Sequence, residues 1–149
     1  MRIIGVGNEY RRDDAAGLIA ARRLRARGVE ADEHTGDLAT LMERWSGADD
    51  LILIDAVRSG AVPAGTLHRL DVSRAPLPRE LFRSSTHALG LAEAVELSRA
   101  LGTLPGRVTI YGIEAHDFAP RVGLSADVER AVATVVDDVA RVAAAPRTC

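Results

Sequence analysis

Apolar residues come in two lengths along this chain: short β-branched runs alternate with longer stretches of helical period. That alternation is the mark of successive βα units. Arg2–Val6 reads as a strand, and residues 14–27 as a helix with Asp13 as N-cap and Gly28 just past its end. Residues 29–34 read as a second strand and Leu38–Trp45 as a short helix. Asp50–Val57 is the clearest buried strand, a continuous apolar core bounded by acids. Residues 66–72 form another strand, introduced by the turn residues Pro63-Ala64-Gly65. A loop rich in Pro and Arg over residues 73–85 then leads to a helix over 89–101, capped by Ser85 or Thr86. A strand over 108–113 follows. The last helix runs from 124 to about 144, with Ser125 as N-cap and Asp127 and Glu129 favourably placed in its first turn. The pattern predicts a single-domain α/β three-layer sandwich: a twisted, mostly parallel sheet of about five strands with helices on both faces. The domain is expected over residues 1–145, and 146–149 as a disordered tail.

Composition narrows the picture. The 149 residues are enough for one domain with a real core. Aromatics make up 3%, so Val, Ile, Leu and Ala must build that core, which suits a buried parallel sheet. The net charge of −2 calls for neither nucleic acid nor an anionic membrane. No apolar run approaches the roughly 20 residues that span a bilayer, and Met1 leads directly into a strand, so a cytoplasmic protein without a signal peptide is expected. The one cysteine, Cys149, excludes an intrachain disulfide. Nothing calls for an obligate oligomer, and a monomer is expected.

The chemistry concentrates where strands end. Ile3-Ile4-Gly5-Val6-Gly7-Asn8 runs through a glycine turn to Asp13-Asp14 at a helix start. A phosphate-binding turn would not carry two carboxylates there, so the segment points to a cation or a polar substrate and away from a dinucleotide. Asp55 ends the most buried strand, and His87 precedes a helix in Ser84-Ser85-Thr86-His87-Ala88-Leu89. In a parallel sheet Asp14 and Asp55 share one edge, and the loop can bring His87 over it. Two carboxylates and an imidazole suit a divalent metal with positions left open for substrate. Each has a plainer reading as well: Asp14 as a helix-dipole partner, Asp55 as a turn-bonding strand end, His87 as a loop histidine. Glu114, His116 and Asp117 read as a solvated loop rather than a second polar cluster. His34 and Asp37 flank Thr35-Gly36 at another strand end, a loop that can form a substrate-contacting edge, and His68 reads as structural. The arginines at 22, 23, 25 and 27 read as a solvated face near a helix C-terminus.

The chain resembles the hydrogenase maturation proteases. The resemblance rests on Gly5-Val6-Gly7-Asn8 with Asp13-Asp14, on His34-Thr35-Gly36, on Leu53-Ile54-Asp55-Ala56 and on Ser85-Thr86-His87-Ala88-Leu89. Tyr111-Gly112-Ile113-Glu114 and Gly123-Leu124-Ser125 complete it. It implies a single α/β domain and an endopeptidase that removes the C-terminal extension of a nickel–iron hydrogenase large-subunit precursor once nickel is in place. It also implies that Asp14, Asp55 and His87 contact nickel supplied by that precursor, and that the same residues serve catalysis. The chain departs from the family at Ala15, where glycine commonly follows the acidic pair. A turn needing positive φ at that position would be altered, whereas alanine suits a first helical turn. Two other readings remain. One is a non-cleaving nickel-site checkpoint of the same fold. The other is a peptidyl-tRNA-hydrolase-like enzyme, disfavoured because Arg11, Arg12 and Asp13 stand where that family needs a histidine.

Overall fold

A computed structural model of the chain describes residues 1–35, 37–73, 75–78 and 91–145. Five strands form one sheet in the order β2-β1-β3-β5-β4, with β1 Arg2–Val6, β2 Asp32–His34, β3 Asp50–Val57, β4 Leu67–Asp71 and β5 Arg107–Glu114. The pairs β1–β2, β1–β3 and β3–β5 are parallel, and β4 closes the edge antiparallel to β5. Among the described residues the α-helices are α1 Ala16–Ala26, α2 Leu38–Trp45, α3 Leu91–Leu101 and α4 Ala126–Ala144. The expected α/β class and mostly parallel five-stranded sheet are therefore present. Among the described residues no helix is long and apolar enough to cross a membrane.

Strand alternation divides the core between the two faces. Ile3, Ile52, Ile54, Tyr111 and Ile113 pack under α1 and α4 with Leu24, Val132 and Val135. Ile4, Val6, Leu51, Leu53, Val108 and Ile110 pack under α2 and α3 with Leu41, Trp45 and Val95. Trp45 is fully buried and satisfies its indole N–H by donating to Ser98 Oγ at 3.0 Å, tying α2 to α3. Helix α1 lies directly on the backbone of the sheet. A Cβ on Gly17 would fall 2.3 Å from the Ile54 carbonyl oxygen and 2.4 Å from that of Val6.

Several boundaries differ from the sequence reading, each for a local reason. Asp14 is not in a long helix; it sits in a 3₁₀ turn, Arg12–Ala15, and α1 begins at Ala16. The Asp14 carbonyl accepts from the Asn8 N–H at 3.0 Å, so the glycine–asparagine turn wraps around it. The strand expected over residues 29–34 shortens to Asp32–His34 because its first residues close α1: Gly28 takes φ +82 and the Val29 N–H donates to the Leu24 carbonyl. The expected starts at 66 and 124 move to Leu67 and Ala126, and β5 extends by one residue at each end to Arg107–Glu114. Of the helix expected over 89–101, residues 91–101 are described; its proposed caps Ser85 and Thr86, and the tail 146–149, lie outside the described residues.

Candidate active site

The carboxyl ends of β1, β3 and β5, adjacent in the sheet, carry the polar groups. The β1 end is shaped by close backbone approach. A Cβ on Gly7 would lie 2.1 Å from the Asp14 carbonyl oxygen, so glycine there lets the chain fold back over the 3₁₀ turn. Asn8 Oδ1 accepts from the Tyr10 N–H at 3.0 Å and sets the turn between them. Arg12 takes φ +41, the left-handed backbone that costs a side-chain-bearing residue energy. It is held there by its N–H on the Arg121 carbonyl at 2.8 Å and by an ion pair from Nε to Asp117 at 2.6 Å. The unusual φ therefore falls at Arg12. Ala15, at φ −83 and ψ −4, is in ordinary helical backbone, and glycine is not required of it.

The acidic pair divides its work. Asp13 does not cap α1 with its side chain. Its carboxylate reaches across the molecule and accepts from the Ser125 N–H at 2.7 Å and the Ser125 hydroxyl at 2.8 Å. Ser125 is at the N-cap position of α4, as the sequence suggests, but its hydroxyl bonds Asp13 instead of its own helix. Asp14 is buried, at 5% exposure, in a turn that lies against β3, and its charge acts on Asp55.

Asp55 lies on β3 opposite Gly112 and on the same face as Leu51, Leu53 and Val57, the face covered by α2 and α3. It is 3% exposed, and its Oδ1 is buried without a hydrogen-bond partner among the described residues. Burial pushes the Asp55 carboxyl well above its usual range, and the neighbouring charge of Asp14 pushes it further. A buried carboxyl whose ionisation is opposed both by burial and by a neighbouring charge is the kind of group that a cation or a proton satisfies. His87 lies outside the described residues; in the sequence it precedes α3 by four residues.

Sequence reasoning missed Glu114. Instead of lying in a solvated loop it is fully buried at the end of β5. It accepts from the Ser59 hydroxyl at 2.6 Å, from the Ser59 and Gly60 N–H groups at 3.0 and 3.2 Å, and contacts His68 Nε2 at 3.2 Å. Burial raises its pKa, but these hydrogen bonds outweigh burial and hold the carboxyl below its usual value. Glu114 thus pins the loop that follows Asp55. The periodicity of β5 gave one signal, since a strand extended by one residue ends on Glu114. His68 is structural, as expected, through this bond. His116 is exposed, though its Nε2 approaches Glu114 at 3.4 Å, and Asp117 pairs with Arg12 and Arg121. His34 is buried with Nε2 2.7 Å from the Asp37 carbonyl oxygen, and Asp37 caps α2 through the Thr40 N–H at 2.8 Å. These two residues order the β2–α2 connection, and Gly36 lies outside the described residues. The arginine face of α1 is a set of ion pairs, with Arg22 on Glu9 and Glu33, Arg23 on Glu129, Arg25 on Glu33 and Arg27 on Asp137.

Residues 34–142 match the family described as hydrogenase maturation protease. The hydrogenase 2 maturation protease of Escherichia coli K12 is 28% identical over 92% of this chain and 86% of its own length. Among solved structures, the hydrogenase maturating endopeptidase HybD of E. coli superposes with a TM-score of 0.78 at 29% identity, over 93% of this chain and 90% of that one. The [NiFe] hydrogenase maturation protease HybD of Thermococcus kodakarensis gives 0.73 at 26% identity, over 96% and 99%.

Proposed function

The chain belongs to the hydrogenase maturation protease family, and on that premise we propose that it is the endopeptidase that cuts the C-terminal extension from a nickel–iron hydrogenase large-subunit precursor after nickel insertion. In this reading nickel arrives as part of the substrate, and Asp14, Asp55 and His87 meet it. The observation that carries the reading is the buried Asp55 carboxylate beside Asp14, with Oδ1 left without a donor. A buried polar atom without a partner is costly unless an incoming group satisfies it. Two carboxylate oxygens and an imidazole nitrogen are a donor set that a borderline divalent ion accepts, so these residues fit nickel.

The chain's own contribution is to hold donors and to handle a proton. The 3₁₀ turn fixes Asp14, and strand pairing fixes Asp55, so both carboxylates stay in place before substrate arrives. Seated nickel supplies Lewis acidity at the scissile carbonyl. The carboxylate oxygen of this pair that is not turned to the nickel receives the proton of the attacking water and returns it to the leaving amine. A precursor lacking nickel has no anchor on these residues and escapes cutting.

The test is processing of a nickel-loaded precursor by Asp14→Ala, Asp55→Ala and His87→Ala proteins, followed by the mass shift of tail loss. Each variant is expected to lose at least roughly a hundredfold in rate, the usual scale for removing a proton-transfer group. Wild-type rates in all three would refute the assignment. Stable binding by wild type without a mass shift would indicate a checkpoint module.

A further inference from the structure

The loops after β1, β3 and β5 meet on one aromatic ring. Phe118, from the loop after β5, packs against the core beneath α1 and α4. The Arg11 guanidinium carbon lies 5.7 Å from its ring centroid and that of Arg58 lies 5.3 Å from it, both within cation–π range. Arg11 precedes Asp14 by three residues, and Arg58 follows Asp55 by three. The two cations are therefore tied to the two backbone segments that carry Asp14 and Asp55.

Neighbouring arginines are matched with acids: Arg12 and Arg121 on Asp117, Arg22 on Glu9 and Glu33. Arg11 and Arg58 differ. Among the described residues neither has a carboxylate within ion-pair distance, and the ring is what holds them. The placement is built in advance. The loop after β1 is fastened to the loop after β5 by the Arg12 N–H on Arg121 and the Asp13 N–H on Asp117, and Glu114 fastens Ser59 and Gly60 next to Arg58.

We propose that Arg11 and Arg58, seated on Phe118, form a subsite for a carboxylate of the precursor and so set the path of its chain across Asp14 and Asp55. The planar guanidinium fork matches a carboxylate in shape as well as charge. The carboxylate is either an acidic side chain of the cleaved extension or that extension's own C-terminus. The inference rests on the function proposed above.

Its test separates the two. KM and kcat for processing, and Kd for binding without cutting, are measured on a nickel-loaded precursor with wild-type protein, R11Q/R58Q and R11K/R58K, all checked for equal melting temperature. Loss of two charge-assisted contacts is expected to raise KM and Kd roughly tenfold or more, with kcat within about twofold and partial recovery in the lysine pair. Wild-type protein should show the same loss on a precursor whose extension has its acidic residues replaced by amides, or on one semisynthesised with a C-terminal amide. Whichever change reproduces the loss identifies the source. If neither precursor change alters wild-type KM or Kd, the subsite is refuted, whether or not the arginine variants fold. A fall in kcat at constant KM also overturns it, since the arginines would then only hold the turn of Asp14. Arginine-dependent binding without cleavage by wild type keeps the subsite and removes the protease reading; no binding by wild type removes both.

Discussion

At the scale of single residues, burial makes ionisation of Asp55 costly. A carboxyl whose folded pKa is raised favours folding while it is protonated and disfavours it once ionised. The cost is absent below the unfolded value, grows as pH rises toward the folded value, and stays constant above it. Asp55→Asn removes the ionisable group at nearly equal shape. It should therefore melt a few degrees above wild type at about pH 8, with the gain shrinking as pH falls toward about 4. The same protein should fail to process precursor. A melting temperature equal to wild type across that range would show that Asp55 is not strained by its burial. Asp13 predicts the opposite outcome. Its carboxylate satisfies both donors of Ser125, and Asp13→Ala leaves a half-buried N–H and hydroxyl without that acceptor. The expected loss is about 1–3 kcal/mol, measured by chemical denaturation. Adjacent acids in one sequence thus carry different tasks. The sequence marks both through their place at a strand end. It separates them only in part: Asp13 reads as the cap of its own helix, because its partner Ser125 lies on a helix start far along the chain.

At the scale of elements, the sheet edge depends on how tightly α1 is drawn onto β1 and β3. Gly17 faces backbone carbonyls on both strands, which cannot yield as a flexible side chain does. Gly17→Ala should force the helix outward and cost about 3 kcal/mol or more. The Asp14 turn precedes this helix directly, so precursor cutting should fall with it. A stable and fully active Gly17→Ala protein would contradict the packing. At the end of β5, Glu114 has a lowered pKa, and its contribution has the reverse sign to that of Asp55. It stabilises above the ordinary glutamate value of 4.5 and is lost as pH falls through the folded value. Glu114→Gln should be less stable than wild type near neutral pH, and the two melting curves should converge on acidification; parallel curves would sink the assignment. Element type was legible from apolar period because buried parallel strands and amphipathic helices differ so clearly in it. The start of α1 and the extent of β2 were not. Both are set by tertiary hydrogen bonds, Asn8 on Asp14 and Val29 on Leu24, which apolar period does not encode. The role of Glu114 was hidden for a related reason: Ser59, Gly60 and His68 come from two other elements and meet it only when the sheet forms.

At the scale of the whole molecule, three adjacent parallel strands deliver their loops to one edge, and cross-bonds between those loops hold the edge in shape before any partner arrives. Such an edge can read a partner through two separable terms: contacts with its polypeptide, and ligation of its metal. If Asp14 and Asp55 meet the precursor's nickel, the second term belongs to them and the first does not. Wild-type protein should bind nickel-loaded precursor at least roughly tenfold more tightly than the nickel-free form, the effect of about 1.4 kcal/mol of added ligation. In Asp14→Ala and Asp55→Ala proteins that ratio should collapse toward one, while affinity for nickel-free precursor stays at the wild-type value. Affinity measured by calorimetry on both precursor forms, with the three proteins side by side, decides the matter. A ratio that survives in both variants would mean that nickel acts by reshaping the precursor, and that the buried acids serve the cutting step alone. A ratio of one already in wild type would remove nickel from recognition altogether. The expected pattern, loss of the nickel-dependent term with the polypeptide term intact, follows from the placement of both acids on backbone that the 3₁₀ turn and the strand pairing hold independently of their carboxylates.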